Sequence, residues 1–448
     1  MDKIYPFVKE LLIEKYILGK KFIAFLYSFN LYQSSLIFNI TRLIKLTNIY
    51  VNFKIGGIIL KRGTFQLMKS VNKSIVLNKI RESAPISRAQ IAKETSLTPP
   101  TVSSIVKELI EENIIIERKS EESVSGRRPI MLHINEDAFL IIGIDAGPEQ
   151  VIGIISNLAG DIKHRHFVSY EKPLDKERFL DVLKTCIRDL KKKIEIDLDR
   201  LLGVGIAMHG VVNVEEGISL VTPNLGLKDI PIKETLENEF DIEVKVENDV
   251  RLMALGETWF GGHGSVESMV VINLGRGVGG GIVLNGDLYH GWTDLAGEIG
   301  HMTIDMNGPV CECGNRGCFQ TFATGHAIAK RAREKMNISS DESLKLTGRS
   351  VYELAKAGNE LHQNVLKETG KYIGVALSNI IHVLNPKRIV LGGGVMNSEH
   401  YLMPEIVQTI ENRALIKHAK ETEIMMTNLG KDATVLGAVA QFLVEVYE

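Results

Sequence analysis

The hydrophobic and polar positions of this chain change period as it runs. Between residues 70 and 83, apolar Val71, Ile75, Val76 and Ile80 recur at helical spacing and predict a first helix. Ser87 followed by Arg88-Ala89-Gln90 has the pattern of a capping box. It predicts a short second helix that carries Ile91 and Ala92 and breaks at Thr95-Ser96. Thr98 caps a third helix, and Pro99 takes its first position, where a missing N–H costs nothing. That helix runs to about Glu111 and buries Val102, Ile105, Val106 and Leu109. Two short strands, 114–118 and 129–134, flank a polar loop from Lys119 to Arg128. Three helices and a hairpin in this order predict an α+β winged helix-turn-helix over residues 68–136.

From Phe139 onward, buried strands end in glycine turns. Residues 139–148 form a strand ending at Asp145 and Gly147, and 151–155 returns beside it. Further strands are predicted at 202–210, at 245–249 ahead of a helix from about Val250 and at 386–395, and residues 270–281 are predicted to make a glycine-rich turn leading straight into another strand. One glycine turn is a weak signal, because glycine serves any tight bend. Four of them at strand ends predict two similar α/β lobes facing a cleft, over residues 137–448.

Residues 1–67 fit neither texture. They are rich in Ile, Leu, Phe, Tyr, Asn and Lys, with one Ala and one Pro, and show no sustained period. Residues 22–41 are uncharged over the length of a bilayer, behind Lys20 and Lys21. Ser28, Asn30, Gln33, Ser34, Ser35 and Asn39 interrupt the run, so no membrane span is expected. The composition is that of translated upstream sequence, and Met68 is expected to be the natural start.

Charge sharpens this division. The formal net charge of −2 conceals +7 over residues 1–67, +2 over 68–136 and −11 over the remainder. An acidic C-terminal part is not a nucleic-acid surface as a whole, so any DNA contact is local to the N-terminal side. Pro100, Thr101, Ser103, Ser104 and Lys107 fall on or near the outward face of the third helix and are candidates for the major groove. Arg127 and Arg128 sit in the wing, where they could enter a minor groove or grip phosphates. A charge of only +2 leaves a helical interaction module with a solvated hairpin as the alternative.

Three of the four cysteines, Cys311, Cys313 and Cys318, lie within eight residues, and His301 lies ten positions upstream. Thiolate and imidazole are the donors zinc prefers, and four of them close a tetrahedral structural site with no open position. Metal-dependent hydrolysis is thereby disfavoured. The alternative is four unrelated core residues, but three cysteines in so short a loop cannot all form disulfides. Few cysteines, clustered for metal, suit a reducing cytoplasm.

These motifs carry a resemblance. Ala296-Gly-Glu-Ile-Gly-His301 followed by CECGNRGC, supported by NLGRGVGGG and ENDVRLMALGE, resembles the ROK family of repressors, open reading frames and kinases, over residues 68–448. The resemblance implies an actin/hexokinase-like fold. It also implies sugar binding by Asn248, Asp249, Glu298 and His301, with Gln320 where the family usually has a glutamate, Asp249 as the base of a kinase, and a structural Zn²⁺. The departures are specific. The first phosphate loop reads Asp145-Ala-Gly-Pro-Glu-Gln150, with no threonine or lysine and with Pro148 removing an amide donor. Arg276 replaces the usual threonine of the second loop, and Arg251 the usual asparagine after Asp-Val. A sugar pocket is retained while the nucleotide site is degraded.

The reading is a cytoplasmic, sugar-responsive transcriptional repressor without catalysis, acting as a homodimer or homotetramer on operator DNA. Its layout is that of xylose-type repressors; glucose, N-acetylglucosamine or a sugar phosphate are alternative inducers. The rival is a sugar kinase with a fused DNA-binding head, using Asp249.

Overall fold

Helices in the head form where caps and apolar stripes coincide. In the computed structural model the described residues are 54–55, 58–59, 65–119, 129–194, 200–264, 267–337, 346–415 and 421–447. The chain divides into two units, Met1–Ser70 and Val71–Glu448. In the first, β1 (Lys54–Ile55) pairs antiparallel with β2 (Ile58–Ile59). Residues 22–41 lie outside the described residues. Among those described, no helix is long and apolar enough to cross a membrane.

Helix α1 (Phe65–Ser83) begins before the predicted position. Its buried face is Val76, Leu77 and Ile80, while Val71 and Ile75, which share the helical spacing, are exposed. Ser87 caps α2 (Arg88–Thr95) by accepting the Gln90 N–H at 3.2 Å. The reciprocal half of the predicted capping box is absent, because the Gln90 side chain donates to Glu94 instead. Thr98 caps α3 (Pro99–Glu111), whose buried residues are the four predicted. Strands β3 (Ile115–Lys119) and β4 (Ile130–Ile134) pair antiparallel, Ile115 opposite Ile134. Ile86 adds a bridge to Leu132 that no local pattern announced.

The first lobe contains β5 (Leu140–Ala146), β6 (Gln150–Asn157), β7 (Ile162–Ser169), α4 (Lys176–Lys191) and β8 (Leu201–Met208). A small sheet of β9 (Val211–Asn213), β10 (Ile218–Thr222) and β11 (Leu227–Pro231) follows, then α5 (Ile232–Phe240), β12 (Val244–Asn248) and α6 (Asp249–Phe260). The second lobe contains β13 (Ser268–Leu274), β14 (Val278–Leu284), β15 (Asp287–Leu288), α7 (Gln320–Ala323), α8 (Gly325–Met336) and α9 (Gly348–Lys356). It ends with α10 (Glu360–Leu384), β16 (Arg388–Gly392), α11 (Glu399–Arg413), β17 (Glu423–Met426) and α12 (Ala433–Tyr447).

The two large sheets repeat one plan. Their orders are β12-β8-β5-β6-β7 and β15-β14-β13-β16-β17. In each, three consecutive antiparallel strands are joined by two later parallel ones. This is the lobe repetition that the glycine turns predicted.

Each lobe has its own apolar core, with Phe179 and Ile187 in the first and Phe319 and Ile373 in the second. A third core joins head residues such as Leu77 and Leu109 to Phe442, Leu443 and Tyr447 of α12. Helices α6 and α12 meet backbone to backbone: a Cβ added at Gly437 would lie 1.7 Å from the Leu252 carbonyl oxygen, and one at Gly256 2.2 Å from that of Ala433. Gly437→Ala therefore forces the helices apart. It is expected to lower stability by about 1–3 kcal/mol, read as a shifted urea midpoint with unchanged slope.

Candidate functional site

Strand register builds the floor of the cleft. Ala146, Met208 and Asn248 stand in one row across three parallel strands, so Asp145 lies just before the row and Asp249 just after it. Asn248 is the N-cap of α6. Its Oδ1 accepts the N–H groups of Val250 and Arg251 at 3.0 and 3.1 Å, and its Nδ2 donates to the Gly210 carbonyl at 2.9 Å. This side chain is held by protein at both ends and fixes the position of Asp249.

Burial raises both carboxyls. Asp145 is pushed up to about 6, and Asp249 to about 7 by burial and then by the charge of Asp145. Glu298 adds to the field at Asp249. Behind them, Glu247 is buried, with Oε1 2.7 Å from Arg251 Nε and Oε2 2.8 Å from His290 Nε2. Arg251 also donates to the Asp294 carbonyl at 2.9 Å. The arginine that departs from the kinase pattern thus ties the 289–298 segment to α6. No local sequence signal marks this network, because its partners are 43 residues apart.

The three-glycine run is a packing device. Gly279 and Gly281 face α6, where added Cβ atoms would lie 2.8 Å from Val250 Cγ2 and 2.5 Å from Ala254 Cβ. Gly280 faces the segment bearing Glu298, and its N–H donates to the Gly297 carbonyl at 2.8 Å. The glycines of β14 let a helix and the Gly297–His301 segment lie flat on opposite faces of one strand.

His301 places Nδ1 3.7 Å from Cys311 Sγ, and Cys313 Sγ is 3.7 Å from Cys318 Sγ. The four ligand atoms all lie within 4.8 Å of one another. A tetrahedron with metal–sulfur bonds of about 2.3 Å has edges of about 3.7 Å, so the four residues fit one metal ion. The loop is tight: a Cβ at Gly317 would lie 1.5 Å from the Asp305 carbonyl oxygen. Outside the cluster, the fourth cysteine, Cys186, is buried on α4, which pushes its thiol up to about 12. His301 Nε2 lies 3.9 Å from Glu298 Oε2. Gln320 donates through Nε2 to Cys311 Sγ at 3.2 Å, so its amide nitrogen is engaged by the cluster rather than free in the cleft.

Glu149 and Arg276, the two charged departures in the phosphate loops, pair with each other across the lobes. Both are largely exposed, so the pair contributes at most about 1 kcal/mol. In the head, Pro100, Ser103, Ser104 and Lys107 are exposed on one side of α3 and Thr101 is half-buried. Lys107 lies 3.7 Å from Glu111. Arg127 and Arg128 lie outside the described residues.

A carboxyl raised by the fold stabilises it fully below the unfolded value, near 3.8, and that stability is lost as pH climbs through the folded value near 7. Asp249→Asn removes this penalty. Cleft water screens part of it, so the variant is expected to be more stable than wild type by about 1–3 kcal/mol at pH 8. The difference should shrink toward pH 4 in thermal unfolding followed across pH.

The ROK family model matches residues 141–445, and a model for winged helix-turn-helix DNA-binding domains matches 76–116. The xylose repressor of Caldicellulosiruptor bescii is 31% identical over 388 residues, 85% of this chain and 97% of that protein. A glucokinase of Halalkalibacterium halodurans is 34% identical over 309 residues, 66% of this chain and 92% of its own. Among solved structures, a ROK family transcriptional regulator described as a homologue of the E. coli MLC protein superposes with a TM-score of 0.75 at 29% identity, covering 85% of this chain and 97% of that one. The chain belongs to the ROK family, and a winged helix-turn-helix DNA-binding domain precedes its two lobes.

Proposed function

We propose that this protein is a sugar-responsive transcriptional repressor that works in the cytoplasm, with xylose as its inducer and Asp249, Glu298 and His301 as sugar contacts. The observation that carries this reading is helix α6. Asp249 is its first residue, and Trp259 lies in its last turn, about 15 Å away at 1.5 Å per residue. The Arg81 guanidinium of the head lies 4.1 Å from the Trp259 ring centroid and 5.3 Å from that of Tyr447. Asn78 donates to the Tyr447 carbonyl at 3.0 Å. A rod joins the sugar floor to the DNA-reading head.

A sugar that binds one lobe arrangement better moves α6, and the head moves with it. Only differential affinity shifts such an equilibrium, and coupling of about 1–3 kcal/mol corresponds to a roughly 5–150-fold change in operator affinity. Two copies would present two heads to a palindromic operator, with α3 of each in a major groove. A kinase is the second reading, favoured by the neutral-range carboxyl of Asp249, which suits a general base. The Glu149–Arg276 pair stands against it, since it occupies both loops that would receive phosphates.

The metal we assign is zinc, held by His301, Cys311, Cys313 and Cys318. Because His301 turns Nδ1 toward Cys311, a zinc ion held there would leave Nε2–H to donate to a sugar hydroxyl. The ion supplies rigidity to the cleft wall, and Gln320 supports the Cys311 thiolate by its N–H.

Three outcomes test these assignments. D-xylose is expected to lower wild-type operator affinity at least fivefold, measured by fluorescence anisotropy. Arg81→Ala should retain xylose binding and operator binding but show less than a twofold response; full release in the variant removes α6 as the link, and brisk ATP turnover by wild type with any sugar removes the repressor reading. Cys313→Ser should lose zinc by mass spectrometry and melt at lower temperature; a wild type purified without zinc overturns the metal assignment.

A further inference from the structure

His209 is the residue after the last position of β8, the middle of the three parallel strands. The residues that follow the Ala146–Met208–Asn248 row are Gly147, His209 and Asp249, so His209 emerges between the other two at the carboxyl ends of the strands. Ligands of open α/β sheets bind at those ends. The ring is only 8% exposed, and its Nε2 is buried with no hydrogen-bond partner. A buried polar atom without a partner is rare in a native protein and calls for an explanation.

The other ring nitrogen identifies the missing partner. Nδ1 lies 3.3 Å from the Ala146 carbonyl oxygen, which can only accept, so Nδ1 carries the proton. Burial, and then the charges of Lys172 and Arg276, hold the ring below its ordinary value and keep it neutral. Nε2 is then a bare, buried lone pair on a residue at the carboxyl ends of the parallel strands. The adjoining Gly210 carbonyl accepts the amide of Asn248, which ties the His209 turn directly to the residue that positions Asp249.

Resting on the sugar-binding reading, we propose that His209 is a further ligand-contacting residue, accepting a hydroxyl proton of an unphosphorylated sugar at Nε2. A phosphate offers acceptors at neutral pH and would meet a lone pair here, while Arg276 is already engaged by Glu149. A sugar hydroxyl both fits the atom and satisfies it. This selects the parent sugar over its phosphate ester.

The test is calorimetric titration of the full-length protein with D-xylose, D-glucose, N-acetyl-D-glucosamine and glucose 6-phosphate, using His209→Phe and His209→Asn beside wild type. Circular dichroism and thermal unfolding verify that each variant folds. The phenylalanine variant is expected to bind its best sugar at least tenfold more weakly, and asparagine, which keeps an acceptor, to recover part of the loss. Among monodeoxy analogues of that sugar, one should bind wild type weakly yet suffer no further loss in His209→Phe, because the hydroxyl and its acceptor act as a pair. Equal affinity of wild type and His209→Phe, or tighter wild-type binding of the phosphate ester than of the parent sugar, overturns the assignment and leaves the cleft reading standing. Failure of wild type to bind any sugar overturns both.

Discussion

Close backbone contact around α6 is the constraint from which the rest of the molecule follows. The helix is pressed on one side against α12 through Gly256 and Gly437, and on another against β14 through Gly279 and Gly281. At these four positions glycine contributes no side chain that could yield, so the elements have little room to be displaced. A packed interior moves in discrete steps rather than by continuous deformation. The cleft floor at Asp249, the cleft wall that follows Gly297 and the aromatic seat of Arg81 therefore belong to one mechanical unit. Glu257, buried near the far end of α6, adds a second tie, with His263 Nε2 at 2.7 Å and the Leu429 N–H at 3.3 Å on its carboxylate.

The electrostatics of the cleft match a neutral polyol better than a nucleotide. Asp145 and Asp249 are raised because burial withholds water from them, and Glu298 adds a third carboxyl to the field. Polyphosphate brings negative charge to that surface, and the loops that would meet it contribute one arginine whose charge is matched by Glu149. The same carboxylates accept hydrogen bonds from vicinal hydroxyls without needing a counter-ion. In ROK sugar kinases a cleft of this plan serves phosphoryl transfer; here the residues that would hold phosphate hold each other.

Local signals made the head and the repetition of two α/β lobes legible. Thr98, Pro99 and the stripe Val102, Ile105, Val106 and Leu109 specify α3 without help from distant residues. The Cys-x-Cys-x4-Cys loop was readable for the same reason: its geometry is set over a few residues, with Cys311 N–H bonded to the Asn315 carbonyl and Gly317 enforcing the bend. What stayed hidden depends on residues far apart in sequence. Val71 and Ile75 have the period of a buried face, yet the side of α1 that packs is set by α12, more than 350 positions later. Glu149 and Arg276 could each be flagged as departures, but their pairing spans 127 positions. The glycines of β14 suggested a phosphate turn; only the two bodies laid against them reveal a strand thinned for packing. Gln320 was expected to touch sugar, and its amide nitrogen instead meets Cys311.

Beside the apolar core that the head shares with α12, Arg81 makes a contact whose strength is on the scale of a switch. Arg81 is exposed as a residue, yet the rings beside its guanidinium withdraw enough water to lower its pKa. Cation–π contacts contribute about 0.5–2 kcal/mol each, the same scale as allosteric coupling. A buried salt bridge at this joint would cost several kcal/mol to separate and would lock head and lobes together. A surface ion pair would transmit almost nothing. An arginine seated on Trp259 and Tyr447 lies between these limits, because sliding across a ring face exchanges one weak contact for another. In the proposed mechanism, a shift of α6 would change how the guanidinium covers these rings, and α1 would follow it.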